Sequence, residues 1–300
     1  MHGSTTLAAA FAFVPNRGDA WSGIVAALGL ELHEHETWAS TGEARPETVG
    51  YDFPLSVGAL LGQRTAELHK ALATDTDDPD FATEDVTADQ LGQWASDAEA
   101  EAQALLDRLD QAHLPDEAAP LAQSLLEWCD DLLSRLRSVA DIAPSFKLSR
   151  IHGDFHLGQV LLAQNDVAII DFEGEPARSL AERRQKSSPL RDVAGMLRSF
   201  DYAAMMVASR QRDSFGGAER GLDRIEHWRQ STMRDFLEAY RGHSKGAASL
   251  PADEAAWQTL LDFFLLHKAI YEAGYELSNR PAWIGIPLRG IIELLGQSGQ

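Results

Sequence analysis

Ile151-His152-Gly153-Asp154-Phe155-His156-Leu157-Gly158-Gln159-Val160-Leu161-Leu162, answered by Val167-Ala168-Ile169-Ile170-Asp171-Phe172-Glu173-Gly174, is the stretch from which the rest of the chain can be read. The first string is a polar loop that feeds a short apolar run. The second is another apolar run, ending in a carboxylate. Val160–Leu162 and Val167–Ile170 flank the turn formers Asn165 and Asp166, which predicts a β-hairpin. Such a hairpin brings Asp154, Gln159 and Asp171 to one end of a small sheet.

Phosphoryl transfer is the chemistry this set suits. The reaction needs a carboxylate to orient an attacking hydroxyl and accept its proton. It also needs oxygen ligands for Mg²⁺, which neutralises charge on the nucleotide phosphates. In the protein-kinase catalytic loop a metal-binding amide follows the base five residues later. Here Gln159, an amide one methylene longer than Asn, stands five residues after Asp154. Asp171-Phe172-Glu173 then forms an Asp-Phe-Gly-like turn at the end of the hairpin.

His152-Gly153-Asp154 with the downstream Asp resembles the aminoglycoside-phosphotransferase-like branch of the kinase superfamily. Longer strings resemble maltokinase: His-Gly-Asp-Phe-His-Leu-Gly-Gln-Val from His152, Ile-Asp-Phe-Glu-Gly-Glu-Pro from Ile170, and Ser-Pro-Leu-Arg-Asp-Val-Ala-Gly-Met-Leu-Arg-Ser-Phe-Asp-Tyr from Ser188. The likeness is dense from about Arg150 to Ala204 and returns at Phe11–Trp21 and Lys268–Gly290. It implies the C-terminal lobe of a protein-kinase-like fold, mainly α with a small β-hairpin (α+β). It implies transfer of the ATP γ-phosphate to the anomeric hydroxyl of maltose, in an enzyme that occurs alone or fused to trehalose synthase. It also implies a division into a hinge strand and turn over 1–22 and a helical lobe over 23–300. The hinge backbone would hold adenine, which assigns Phe13, Val14 and Asp19 to ATP. Neither a Gly-rich phosphate loop nor a strand lysine with its helix glutamate precedes that hinge in this sequence. The expectation is therefore a lobe whose N-terminal partner is missing or is supplied by another polypeptide. A non-catalytic maltose-binding module associated with trehalose synthase is the alternative.

The resemblance makes Asp154 the catalytic base and gives the metal to Gln159 and Asp171, with Glu173 added to their shell. His152 has three readings: a loop-shaping residue bonded to backbone or to Asp171, a general base, or a metal ligand. The kinase likeness implies the first. The substrate side is assigned to His156, Arg191, Lys268, Tyr271, Glu272 and Tyr275. Glu173 and Glu175 either join the metal or bond the basic segment Arg178, Arg183, Arg184 and Lys186. That segment is either a set of surface ion pairs or a phosphate or sugar contact. Alternating His152, Asp154 and His156 with Asp171 also admits a zinc or manganese hydrolase. The Gln159 register and the hairpin fit a kinase better.

A net charge of −20 argues against nucleic acid or an anionic membrane as partner and fits a cytoplasmic enzyme. The lone Cys129 excludes an internal disulfide and reads as a buried structural thiol. No uncharged apolar run is long enough to span a membrane.

Elsewhere the pattern is helical. A strand over Thr6–Val14 turns at Pro15-Asn16-Arg17-Gly18 into a helix through Ile24–Leu30, and Glu31–Asp52 reads as a loop. Val57, Leu60, Leu61, Thr65, Leu68 and Leu72 mark a helix face, on which His69 reads as packed or at the surface. Thr87 with Gln90 starts a helix in capping-box fashion. Its stripe ends at Pro115–Pro120, and Leu121, Leu125, Trp128, Leu132 and Leu136 give the next. Asp192 is placed near a helix N-terminus, and the kinase resemblance implies that it braces the catalytic loop. Lys268, Tyr271, Glu272, Tyr275 and Glu276 share part of one helix face, which suits either a sugar wall or a core stripe with snorkelling charges.

Overall fold

The structure is a computed structural model that describes residues 12–41, 51–176, 178–214 and 221–296. Helix α1 spans Ala20–Thr41. Its first turn is capped by Asp19, whose Oδ1 accepts the Ser22 N–H at 2.8 Å. Part of the expected Thr6–Val14 strand lies outside the described residues, and 12–16 carry no regular structure. The β contact comes just after them. The Arg17 N–H donates to the Leu162 carbonyl at 2.8 Å, and the Leu162 N–H to that of Gly18 at 3.0 Å. Helix α1 also runs on through Glu31–Thr41, which the sequence reading treats as loop. No Gly or Pro interrupts that stretch before Gly42, so nothing in the sequence stops the helix there.

Helix α2 (Gly58–Leu72) buries Leu61, Gly62, Thr65, Ala66 and His69. A two-residue ladder, β1 (Glu84–Asp85), precedes α3 (Ala88–Gln111), whose Thr87 cap accepts the Gln90 N–H as the pattern predicts. The next stripe is split at Trp128 into α4 (Ala119–Glu127) and α5 (Cys129–Arg137). Ala122, Leu125, Leu132 and Leu136 are buried there, whereas Trp128 is 37% exposed. Cys129 is only half-buried. Pro120 lies in the first turn of α4, where its missing N–H costs no helix bond. Strand β2 (Lys147–Leu148) pairs antiparallel with β1.

The expected hairpin is present. Strand β3 (Val160–Ala163) pairs antiparallel with β4 (Asp166–Ile169), Val160 opposite Ile169 and Ala163 opposite Asp166. The loop is Gln164-Asn165, one residue earlier than the turn formers suggested, because Asp166 opens β4. There it receives both Nε and Nη2 of Arg64, at 2.9 and 2.8 Å, which fastens the hairpin to α2. A short α6 (Leu180–Arg183) leads to α7 (Leu190–Ser214), α8 (Leu222–Ser244), α9 (Glu254–Asn279) and α10 (Gly285–Gly296).

Helix α7 runs through the core, with Leu190, Val193, Met196, Leu197 and Phe200 all buried. Its Arg198 is buried too, and donates to Glu272 on α9 at 2.9 Å and to Asp201 at 2.7 Å. Arg229 on α8 reaches Asp201 at 2.7 Å. Among the described residues no helix is long and apolar enough to cross a membrane.

Helices α2 and α8 meet backbone to backbone. A Cβ on Gly62 would stand 2.2 Å from the Phe236 carbonyl oxygen, and one on Gly58 2.6 Å from that of Thr232. Alanine would gain about 1 kcal/mol of helix propensity, but the two backbones would have to part, which overpacking costs of ~1–3 kcal/mol or more describe. We therefore expect Gly62→Ala to lower the urea midpoint despite that propensity gain; an unchanged or raised midpoint would show that the contact is loose.

Candidate active site

The loop at 151–159 is held by one carboxylate. Asp192, in the first turn of α7 and buried, accepts the His152 N–H at 2.7 Å through Oδ2 and the Gly153 N–H at 2.9 Å through Oδ1. His69 Nε2 lies 3.1 Å from the same Oδ2, and its Nδ1 is 2.9 Å from the Tyr240 hydroxyl. Burial opposes the charge of Asp192, but the His69 hydrogen bond leads the contacts that outweigh it and hold the carboxyl below its ordinary range. The brace expected of Asp192 is therefore in place. His69 belongs to the packed class of reading and supports the carboxylate from behind.

Two further contacts seat the loop on α7. The Leu157 N–H donates to Ser199 Oγ at 3.1 Å. A Cβ on Gly195 would come within 2.7 Å of the Phe155 carbonyl oxygen, so only glycine lets the loop lie this close. Gly153 itself has φ +84°, open to glycine at little cost.

His152 is buried, with its ring between those of Phe155 and Phe172, centroids 5.2 and 5.1 Å away. Its Nε2 donates to the Ile170 carbonyl at 2.8 Å, and its Nδ1 accepts the Asp154 N–H at 3.4 Å. Both ring nitrogens are thus committed to backbone, one of them to the strand that leads into Asp171. This is the loop-shaping reading, and it leaves no nitrogen for a metal or for a substrate proton. Among the described residues no three His, Cys, Asp or Glu side chains cluster as a metal site, so the hydrolase arrangement is not formed.

Asp154 faces a cavity together with Glu175, Arg178, Arg191, Lys268 and Tyr271. Its Oδ2 lies 3.8 Å from His156 Nε2. His156 Nδ1 accepts the Gly158 N–H at 3.0 Å, which leaves Nε2 toward Asp154. Burial lowers the His156 pKa, while Asp154 pulls the other way. Glu175 is pushed upward, first by burial and then by the charge of Asp154. Lys268 Nζ stands 3.9 Å from Glu175 and 5.1 Å from the Tyr271 ring centre.

At the hairpin end, Gln159 Nε2 donates to Asp171 Oδ2 at 3.0 Å. Asp171 sits at φ +66°, a left-handed conformation that non-glycine residues hold only where the surroundings impose it. An amide oxygen and a carboxylate side by side are hard oxygen donors of the kind Mg²⁺ takes, so the pair fits that ion. Glu173 points elsewhere. Its backbone carbonyl accepts Arg183 Nη1 at 3.2 Å, and its carboxylate lies 3.7 Å from the same guanidinium. Of its two readings, the bond to the basic segment is the one formed.

Beside Asp154 opens a cleft of about 430 Å³ walled by Trp21, His156, Lys268, Tyr271, Tyr275 and Trp283, among others. Arg280 lies between the Tyr275 and Trp283 rings, 5.5 and 5.0 Å from their centres, held by Glu276 at 2.9 and 2.6 Å. Glu272 borders the cleft, but Arg198 claims its carboxylate. Arg191 lines the smaller cavity rather than the cleft. Phe13 is 83% exposed, Val14 is half-buried, and Asp19 is spent on the α1 cap. Trp21 and Trp283 are cleft residues that sequence reading missed. Trp283 follows the Pro281 turn and shares no helical period with Lys268–Tyr275, so only the fold brings it there.

Compared with known proteins, the chain matches the profile of the phosphotransferase enzyme family over residues 24–228. It is 28% identical over 244 residues to a glucosamine kinase of Streptacidiphilus jiangxiensis, covering 81% of this chain and 50% of that one. It is 32% identical over 149 residues to a glucosamine kinase of Mycolicibacterium smegmatis, covering 49% and 34%. The chain thus spans half or less of the curated relatives it matches. A solved glucosamine kinase in crystal form B superposes with TM-score 0.73 at 22% identity, over 95% of this chain and 60% of that one. So does one in complex with glucosamine, ADP and inorganic phosphate, at TM-score 0.73 and 22% identity over 94% and 59%. The fold is accordingly that of their kinase-like helical part, mainly α with small antiparallel sheets.

Asp192 gives the loop a pH signature. A carboxyl held below its unfolded value near 3.9 contributes stability above that value and loses it as pH falls through the folded pKa. Asp192→Asn should cost about 3–5 kcal/mol near neutrality, the range for breaking a buried ion pair. The gap between wild type and variant should close below about pH 4. Urea unfolding of both proteins against pH reads it, and a gap independent of pH would refute the charge argument.

Proposed function

The chain belongs to the phosphotransferase enzyme family, and from that premise we propose that it is the acceptor-binding, catalytic-carboxylate lobe of an ATP-dependent sugar kinase. The observation that carries this is Asp154 lining a small cavity with Lys268 and Tyr271, residues that also wall the adjoining aromatic cleft, on a loop fixed from behind by Asp192. Sugar C–H faces stack on rings while hydroxyls need polar partners, and the cleft supplies both.

Asp154 is assigned as the base that orients the acceptor hydroxyl and takes its proton. His156 Nε2 beside it steadies the carboxylate. His152 shapes the loop and ties it to the strand entering Asp171. Gln159 and Asp171 would hold Mg²⁺, which when bound supplies neutralisation of the nucleotide phosphate charge. ATP as donor is supported by the family and by the ADP named in the solved neighbour's complex. The hinge proposed for 1–22 is described only from residue 12, and there the backbone of Phe13 and Val14 would face adenine; the described residues of 23–300 would form the lobe. The nucleotide phosphates would be covered by a lobe outside the described residues, on this or a second polypeptide; trehalose synthase is the other partner proposed. A reaction fed by ATP places the protein in the cytoplasm.

The acceptor we assign first is maltose, phosphorylated at its anomeric hydroxyl. The motif strings resemble maltokinase, and a cleft of about 430 Å³ with several aromatic walls suits two rings. Glucosamine is the second reading. The relatives carry that name, and the Asp154–Glu175 pair of carboxyls would receive an ammonium group.

Incubation with ATP, Mg²⁺ and either sugar, followed by ³¹P NMR, should yield a sugar phosphate. Asp154→Asn should cut kcat at least ~100-fold, as loss of a general base does, with little change in sugar KM. Sugar binding without transfer would identify a binding module instead. Hydrolysis of generic phosphate esters, or full activity in Asp154→Asn, would overturn the assignment.

A further inference from the structure

The basic segment after the hairpin divides into two kinds of residue. Arg183 pairs with Glu173, and Lys186 with Glu84. Arg178 does neither, and nor does Arg191 on α7. Neither guanidinium makes a hydrogen bond or ion pair with another described side chain. Both line the cavity of about 40 Å³ under Asp154, where Lys268 also projects. Both are half-buried. Burial, then the nearby Arg178, lower the pKa of Arg191, while Asp192, Glu101 and Glu175 pull it the other way. Two like charges brought together beside a cavity favour an anion between them. The cavity's own carboxylates act on them at a distance, and none makes an ion pair with either guanidinium. Asp154 lines the same cavity and lies 3.8 Å from His156. Asp192 is taken by the loop amides and His69. Glu101 is taken by His267 at 3.0 Å. Glu175 lies 3.9 Å from Lys268 and is itself pushed toward its neutral form by burial and by Asp154.

We propose that Arg178, Arg191 and Lys268 form a binding site for a tetrahedral oxyanion on the acceptor side of Asp154. At ~10–15 Å³ per water, the cavity has room for a few waters or one small oxyanion. Guanidinium forks suit such an ion better than any neutral sugar hydroxyl. The ion is a phosphate, either free or esterified to a sugar in the cleft. The placement rests on reading the surroundings of Asp154 as the acceptor site, and it adds to that site a subsite for an anionic group, which the neutral hydroxyls of maltose would not fill.

Calorimetric titration of the full chain with inorganic phosphate, glucose 1-phosphate and glucosamine 6-phosphate tests it. At least one should bind in the wild type, and about tenfold more weakly in Arg178→Gln, the loss expected when one charge-assisted contact goes. Arg191→Gln should behave alike. Arg178 is the safer substitution, because Arg191 adjoins Asp192. Tighter binding of a sugar phosphate, in competition with its parent sugar, assigns the ion to an esterified group. Equal binding of inorganic phosphate without that competition assigns it to the free ion. No binding of any of the three, or equal binding by wild type and Arg178→Gln, overturns the proposal. The outcomes also separate from those for phosphotransfer. Phosphate binding that depends on Arg178, without sugar phosphorylation, leaves this site standing and removes the kinase reading. Phosphorylation without such binding does the reverse.

Discussion

One buried carboxylate governs how the catalytic loop can lie. Asp192 receives two backbone amides of the loop and the imidazole of His69, so a charge deep in the core is fully occupied. A buried charge is tolerable only when paired and hydrogen-bonded, and here the pairing sets geometry. His152 N and Gly153 N can reach Asp192 only if the chain turns at Gly153, and that turn sends Asp154 out toward the cleft. From the other side His152 grips the Ile170 carbonyl, so the loop and the strand that precedes Asp171 move as one piece. The spacing between Asp154 and the Gln159–Asp171 pair is therefore a property of the core.

The helices arranged around this point each contribute something specific. Helix α7 brings Asp192, Ser199 and the glycine that lets Phe155 approach. Helix α2 brings His69 on one turn and Arg64 on another, so the same element braces the loop and the hairpin. Helix α9 brings Lys268, Tyr271 and Tyr275 to the cleft, and it is anchored to α7 through Arg198 and Glu272. The Arg198 network lies beneath the cleft floor. Glu272 borders the cleft and pairs there with Arg198.

Much of this was legible in the residues. The hairpin, the Thr87 cap, the loop role of His152 and the bracing by Asp192 all follow from short-range pattern or from the motif strings. What was not legible depended on distant packing. Helix α1 continued through a polar stretch because polarity alone does not distinguish a solvated helix from a loop. Trp128 fell on the apolar period and yet lies exposed, because the helix breaks at that residue and the period restarts. Glu173 lies against Arg183, ten residues on, and Trp283 reaches the cleft only because α9 and its following turn fold back across it. His69 is intermediate: the sequence left it packed or at the surface, and nothing local pointed to Asp192, 123 residues away.

The account stands or falls on where an acceptor sits. A crystal structure of the chain soaked with maltose or glucosamine would decide it. The result predicted is a sugar hydroxyl within hydrogen-bond distance of the Asp154 carboxylate, with a ring against Tyr271 or Tyr275. Sugar bound instead in the groove of Arg241 and Trp257, with Asp154 untouched, would contradict it.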